Sequence, residues 1–189
     1  MSKKRIRQDM IEQLNSLDPK EKIAIEHEMY NHLFTSNLWK GANIIGITWS
    51  IGIEWNTEPI IKRAWNENKF ICIPKSYHDT KQMDFFYIKH KKDLEIGYAG
   101  IMEPRIEKSK KVSKNSIELL IVPGIAFNHL GYRIGFGGGF YDRFLADFTQ
   151  NTLSLVSKIQ LTSFEFSEPH DIPIKFMVTE DGVLKIENK

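Results

Sequence analysis

The apolar positions of this chain follow two rhythms that alternate along its length. Ile6, Met10, Ile11, Leu14 and Leu17 recur at the spacing of one helical face, which predicts a first helix. Asp18 and Glu21 flank Pro19 as a capping pair and open a second helix carrying Ile23, Met29, Tyr30, Leu33 and Phe34. Then the rhythm changes. Asn43 to Trp49 is an apolar run of strand length, Thr57 and Pro59 begin a helix holding Ile60, Ile61, Ala64 and Trp65, and Phe70 to Ile73 reads as a strand closed by Pro74. Strand, helix, strand is the unit of a parallel sheet with crossover helices. Met83 to Ile88, Ile117 to Val122, Leu153 to Val156, Phe176 to Val178 and Val183 to Ile186 are the remaining strand candidates.

One stretch breaks both rhythms. After the apolar run Ile117 to Val122 and the turn at Pro123 and Gly124 come Gly135, Gly137, Gly138 and Gly139, and then Tyr141, Leu145 and Phe148 at helical spacing. Strand, glycine loop and helix form a geometry that holds phosphate: glycine lets the backbone approach a ligand, and the first helical amides have no acceptor of their own. Glycine-rich turns also occur without ligands, but four glycines within five positions, flanked by Arg133 and Asp142, favour a site. The run is neither a P-loop nor a dinucleotide fingerprint, since Phe140 stands where the last glycine of the latter belongs. A second candidate loop, Ser50 to Asn56, follows the Asn43 to Trp49 strand, at the strand end where α/β proteins bind ligands.

Composition narrows the class. With 189 residues, 41% of them hydrophobic, and no internal repeat or long linker, a single domain spanning 1–189 with its own core is expected. The formal net charge of +2 is too balanced to argue for nucleic acid, and Lys89 to Lys92 and Lys108 to Lys111 read as solvated loops. No apolar run reaches membrane-spanning length, and the first residues lack the apolar segment of a signal peptide. Cys72 is the only cysteine and sits in an apolar run, so it reads as a core residue, and a cytoplasmic, reducing setting is expected.

The run PGIAFNHLGYRIGFGGGFYDRFL resembles the 5-formyltetrahydrofolate cyclo-ligase family, also called methenyltetrahydrofolate synthetases, whose hallmark is close to P-G-hydrophobic-A-F-D-x-x-G-x-R-hydrophobic-G-x-G-x-G-aromatic-Y-D. The resemblance extends from Lys3 to about Asp181 and implies a Rossmann-like α/β/α sandwich around a largely parallel sheet. It implies that Lys3 and Arg7 contact ATP, together with Arg133, Gly135, Gly137, Gly138, Gly139 and Tyr141, with Arg133 and Tyr141 in the catalytic role. It assigns Trp49, Glu54, Phe136, Phe140 and the glycines Gly137 to Gly139 to the folate substrate, and Asp142 and Asp171 to magnesium. Four positions depart from the family pattern: Trp55 for valine, Asn128 for aspartate, Phe140 for tyrosine, and Ser157 for an aromatic residue.

The activity implied is conversion of 5-formyltetrahydrofolate to 5,10-methenyltetrahydrofolate, with ATP as co-substrate and Mg2+ as the metal. The partners are small molecules, with neither nucleic acid nor membrane, and a monomer is favoured. Two alternatives stand beside it. One is a paralogue that keeps the ATP and magnesium site but acts on another substrate, kept open by Asn128 and Phe140; the other is a non-catalytic nucleotide- or RNA-binding module, suggested by basic clusters among aromatics.

Overall fold

The computed structural model describes residues 2–164 and 167–187. In chain order its elements are α1 (Lys3–Ser16), α2 (Pro19–Thr35), α3 (Asn37–Gly41), β1 (Ile44–Gly46), α4 (Glu58–Asn66), β2 (Phe70–Tyr77), β3 (Gln82–Ile88), β4 (Leu94–Ile96), β5 (Met102–Pro104), β6 (Leu119–Ile121), β7 (Ala126–Phe127), β8 (Arg133–Ile134), α5 (Phe140–Leu145), β9 (Asn151–Leu155), β10 (Phe176–Thr179) and β11 (Gly182–Lys185). Seven strands form the central sheet in the order β11-β10-β9-β6-β1-β2-β3, and β4-β5 and β7-β8 are separate two-stranded pairs. The inner pairs β10-β9, β9-β6, β6-β1 and β1-β2 are parallel. Only the outermost pairs, β10-β11 and β2-β3, are antiparallel.

Alternation along the inner strands divides the core between the two sheet faces. Ile71 and Leu119 pack with Met10, Leu33 and Ile60 of α1, α2 and α4, whereas their neighbours Cys72 and Leu120 pack with Phe144, Leu145 and Phe148 on the other face. Both faces being covered explains why these strands read as continuous apolar runs. Each fully buried Ile or Leu here contributes about 1.5–3 kcal/mol of transfer free energy. Gly46 is required where β1 crosses the second cluster: a Cβ there would stand 2.7 Å from Leu120 Cδ1 and 3.2 Å from Phe85. Cys72 is buried and free, and burial pushes its thiol up, which leaves it a packing residue.

Pro74 does not close its strand. β2 continues to Tyr77 because β1 ends opposite Cys72, so beyond that point β2 is flanked only by β3, and Pro74 sits opposite Phe85 in that pair. A proline is tolerated where one edge of the strand asks for no N–H. The path into the glycine loop also differs from a simple strand, loop and helix. The β7–β8 hairpin intervenes after β6, and α5 has only six residues, ending at Leu145 rather than reaching Phe148.

Candidate active site

α1 begins with four basic residues in its first turns, against the helix dipole, and the structure supplies what offsets them. Lys3 Nζ lies 2.7 Å from Asp171 Oδ2 and 3.2 Å from Glu168 Oε1. Burial works against the Lys3 ammonium, but the two carboxylates outweigh it and hold its pKa above the ordinary lysine value. Burial likewise works against the Asp171 carboxylate, yet the Glu168 N–H and Lys3 keep it below the usual range. One turn on, Arg7 Nε donates to Gly135 O at 2.6 Å. Its guanidinium lies against Gly137, whose φ of +97° is a conformation that side-chain-bearing residues rarely adopt.

Arg133 anchors the far side of this loop. Its side chain is 4% exposed, Nη2 donates to Asp142 Oδ1 at 2.8 Å, and Nη1 donates to Ile172 O at 2.6 Å. Asp142 Oδ1 also accepts from Ile172 N at 3.3 Å, so the residue after Asp171 is tied to Asp142. Lys3, Arg7, Arg133, the glycine loop, Asp142 and Asp171 are thereby gathered at one place from three segments separated in sequence. Because α5 is so short, its dipole adds little to an anion site there. An anion there would rely on Arg7, the one of the three cations with no carboxylate partner among the described residues, and on the amides of a loop held open by glycine, since Lys3 and Arg133 are already paired with Asp171 and Asp142.

The second half of the site is a cleft at the carboxyl ends of the neighbouring parallel strands β1 and β6. Glu54 and Ser50 enter it from one loop, Pro123 and Gly124 from the next, and Phe136 from the glycine loop, with Leu14 of α1 beneath. It encloses about 40 Å³, room for a few waters and far less than a pteridine. Glu54 Oε2 accepts from Ile51 N at 2.9 Å, and Lys22 Nζ donates to the Glu54 backbone carbonyl at 3.0 Å. Burial raises the Glu54 pKa above the ordinary glutamate value, opposed by the Ile51 N–H and by Lys22. Tyr141 joins the two halves: its hydroxyl is buried with no partner among the described residues. Burial and the Glu54 charge push the phenol up, while Arg133 opposes them.

Some expected residues lie elsewhere. Trp49 does not line the cleft, although its neighbours Thr48 and Ser50 do. It is buried under β5, bridged to Met102, with Lys91 Nζ 5.0 Å from its ring centroid. Phe140 is not among the residues lining that cleft; it meets the turn after β2, where His78 stands edge-on to it at 5.2 Å and Lys81 5.5 Å from its ring. His78 also packs on Tyr98 at 4.0 Å, so an aromatic wall of His78, Tyr98 and Phe140 borders the glycine loop. Gln160 is a further residue of the site region. Its Oε1 accepts from Trp55 Nε1 at 2.7 Å and from Ser157 N at 3.0 Å, and its Nε2 donates to Ile125 O at 2.9 Å. Among the described residues, no group of three or more His, Cys, Asp or Glu side chains is drawn together as a metal site.

The family model for 5-formyltetrahydrofolate cyclo-ligases matches residues 1–180. The chain belongs to this family. The 5-formyltetrahydrofolate cyclo-ligase of Escherichia coli K12 is 27% identical over 146 residues, 75% of this chain and 80% of that protein. The mouse 5-formyltetrahydrofolate cyclo-ligase is 24% identical across 96% of this chain and 95% of its own. The fold is that of the Aquifex aeolicus 5,10-methenyltetrahydrofolate synthetase, with a TM-score of 0.87 at 24% identity, covering 100% of this chain and 95% of that one.

Departures from the pattern of the 5-formyltetrahydrofolate cyclo-ligases have local physical reasons. Asn128 closes the β7–β8 turn: its Oδ1 accepts from Leu130 N and Tyr132 N, while its Nδ2 donates to Phe164 O at 2.9 Å. An ionised aspartate could not make that last bond. Ser157 is fully buried and donates to the Glu180 carboxylate, which fixes the turn carrying Gln160. Trp55 replaces a smaller residue but brings the N–H that Gln160 accepts.

Proposed function

We propose that the chain catalyses ATP-dependent cyclisation of 5-formyltetrahydrofolate to 5,10-methenyltetrahydrofolate, releasing ADP and phosphate. The observation that carries this reading is the junction of two differently built half-sites. A glycine-lined cradle around Arg7 and Arg133 adjoins a cleft in which, among the described residues, Glu54 is the one carboxylate. The first suits a triphosphate and the second a ligand rich in N–H donors.

A formamide oxygen is a poor leaving group. Its attack on the γ-phosphorus of ATP expels ADP and leaves a formyl carbon bearing a phosphate ester; the neighbouring folate nitrogen adds to that carbon, the C–O bond breaks, phosphate departs with the original formyl oxygen, and the nitrogen loses its proton. Such chemistry needs placement and charge neutralisation rather than a protein nucleophile. Lys3, Arg7 and Arg133 would neutralise the phosphates, the loop amides of Gly137 to Gly139 would contact them, and Tyr141 would offer its unpartnered hydroxyl at the junction. Glu54 would orient the pterin, with the ring of Phe136 over it. The cleft must widen to admit that ring, and the exposed Phe136 on its glycine hinges is the wall best able to move.

Magnesium would add a hard cation that shares the phosphate charge. The donor chemistry fits: Asp142 and Asp171 each use one carboxylate oxygen inside the protein, and a site completed by phosphate oxygens needs no larger acidic cluster. No helix among the described residues is long and apolar enough to cross a membrane. Oxygen tracing tests the proposed order of bonds. With 18O in the formyl group, the label should appear in released phosphate; label found in water would remove the phosphorylated formyl intermediate.

A further inference from the structure

We propose that a groove at the opposite edge of the sheet binds a small polyanion that carries a flat ring, of the nucleoside-phosphate class. It lies at the amino ends of β1 and β2, whereas the candidate active site lies at the carboxyl ends of the parallel strands. Ile44, Phe70 and Tyr87 form its apolar wall, and Lys89, Lys108 and Lys110 its rim. Its volume is about 580 Å³, within the range of small-molecule sites, roughly 300–1,000 Å³.

Two independent features set the ligand chemistry. The first is the rim charge. Lys91 and Lys111, next to these lysines in sequence, reach Glu58 at 3.6 Å and Asp84 at 2.7 Å, but Lys89, Lys108 and Lys110 reach no carboxylate among the described residues. Asp93 also lines the groove and accepts from Lys89 N and His90 N without losing its charge, while Glu118 accepts from Asn43 N and Ile44 N. Three lysines against the single carboxylate of Asp93 leave the lining net positive, a field that an anion neutralises.

The second feature is the wall. Phe70 is 56% exposed at the first position of β2, and its ring meets Tyr87 edge-on at 5.8 Å, which leaves its other face free for a flat ligand. Inorganic phosphate would satisfy the lysines and leave the ring bare; an uncharged aromatic would do the reverse. A ring joined to a phosphate uses both.

The test is a titration of the full chain with AMP, inorganic phosphate and adenosine, read from the backbone amide resonances of Tyr87, Lys89 and Lys110. AMP should produce saturable shifts at these amides, and phosphate or adenosine should bind there at least about tenfold more weakly. Phe70→Ala and the double variant Lys108→Gln/Lys110→Gln should each raise the AMP Kd there about tenfold while leaving ATP-dependent turnover unchanged. All these side chains are exposed, so folding is not at stake. AMP shifts confined to the glycine loop, phosphate binding as tightly as AMP, or variants with unaltered Kd would each overturn the proposal.

Discussion

Glu54→Gln separates the two halves of the candidate site. In the folded chain Glu54 Oε2 is held by Ile51 N at 2.9 Å, and the other carboxylate oxygen has no protein partner among the described residues. That oxygen is the acceptor available to the N–H groups of a pterin. A hydrogen bond to a charged acceptor is worth about 1.5–3 kcal/mol, and glutamine removes the charge and turns an NH₂ donor toward ligand donors. Affinity for 5-formyltetrahydrofolate should therefore fall by about ten- to a hundredfold, at ~1.4 kcal/mol per decade. ATP affinity should hold, because the cradle is built by Arg7, Arg133 and Gly135. Both constants can be measured on the same preparation by calorimetry.

Protonation gives this prediction a second arm. Because the folded-state pKa of Glu54 is raised, chiefly by burial, the folded chain holds the proton more tightly than the unfolded chain, and this group's contribution to stability declines as pH rises above the ordinary glutamate range. Glu54→Gln should thus melt at or above the parent's temperature at neutral pH, with the difference closing under acid. Folate affinity of the parent should weaken as pH falls through that raised pKa, and the glutamine variant should lack this dependence. Loss of ATP binding with folate binding intact would refute the reasoning, and so would folate affinity unchanged in the variant.

Three further outcomes are expected. Gly137→Val forces a branched residue into a φ of +97° beside Arg7, at a backbone cost of about 1–3 kcal/mol, so nucleotide affinity measured on folded protein should drop roughly tenfold or more. Asp142→Asn and Asp171→Asn each keep the local hydrogen-bond acceptor but lose a charge, and each should raise the magnesium concentration for half-maximal rate roughly tenfold, one charge-assisted contact; half-saturation equal to the parent's would make both purely structural. Trp55→Phe deletes the 2.7 Å bond to Gln160 inside the core and should cost about 1–2 kcal/mol, which thermal unfolding would register as a fall of a few degrees.

What the sequence disclosed follows from periodicity. The apolar stripes of α1, α2 and α4 and the runs at Ile71 and Leu119 are strong signals because each element is buried along a whole face. The β7–β8 hairpin has two residues per strand, too few for any period to show, and so the glycine loop reads as if it followed β6 directly. Pro74 misleads because the rule against proline in strands is a rule about demanded N–H groups, and register decides the demand. Gln160 is marked in sequence only by its resemblance to a family glutamine; its buried partners, such as Trp55, 105 positions away, leave no trace in the local pattern. The Lys3–Asp171 pair spans 168 positions and is equally invisible to local pattern. Trp49 is different: β1 ends at Gly46, short of the strand expected through Trp49, so strand alternation no longer fixes which way that side chain turns.

The central claim is that one chain couples ATP cleavage to ring closure on folate. Purified protein given ATP, magnesium and 5-formyltetrahydrofolate should form methenyl product and ADP in equal amounts, with neither formed when either substrate is omitted. Release of ADP without methenyl product, or no turnover by protein shown to bind both ligands, would contradict it.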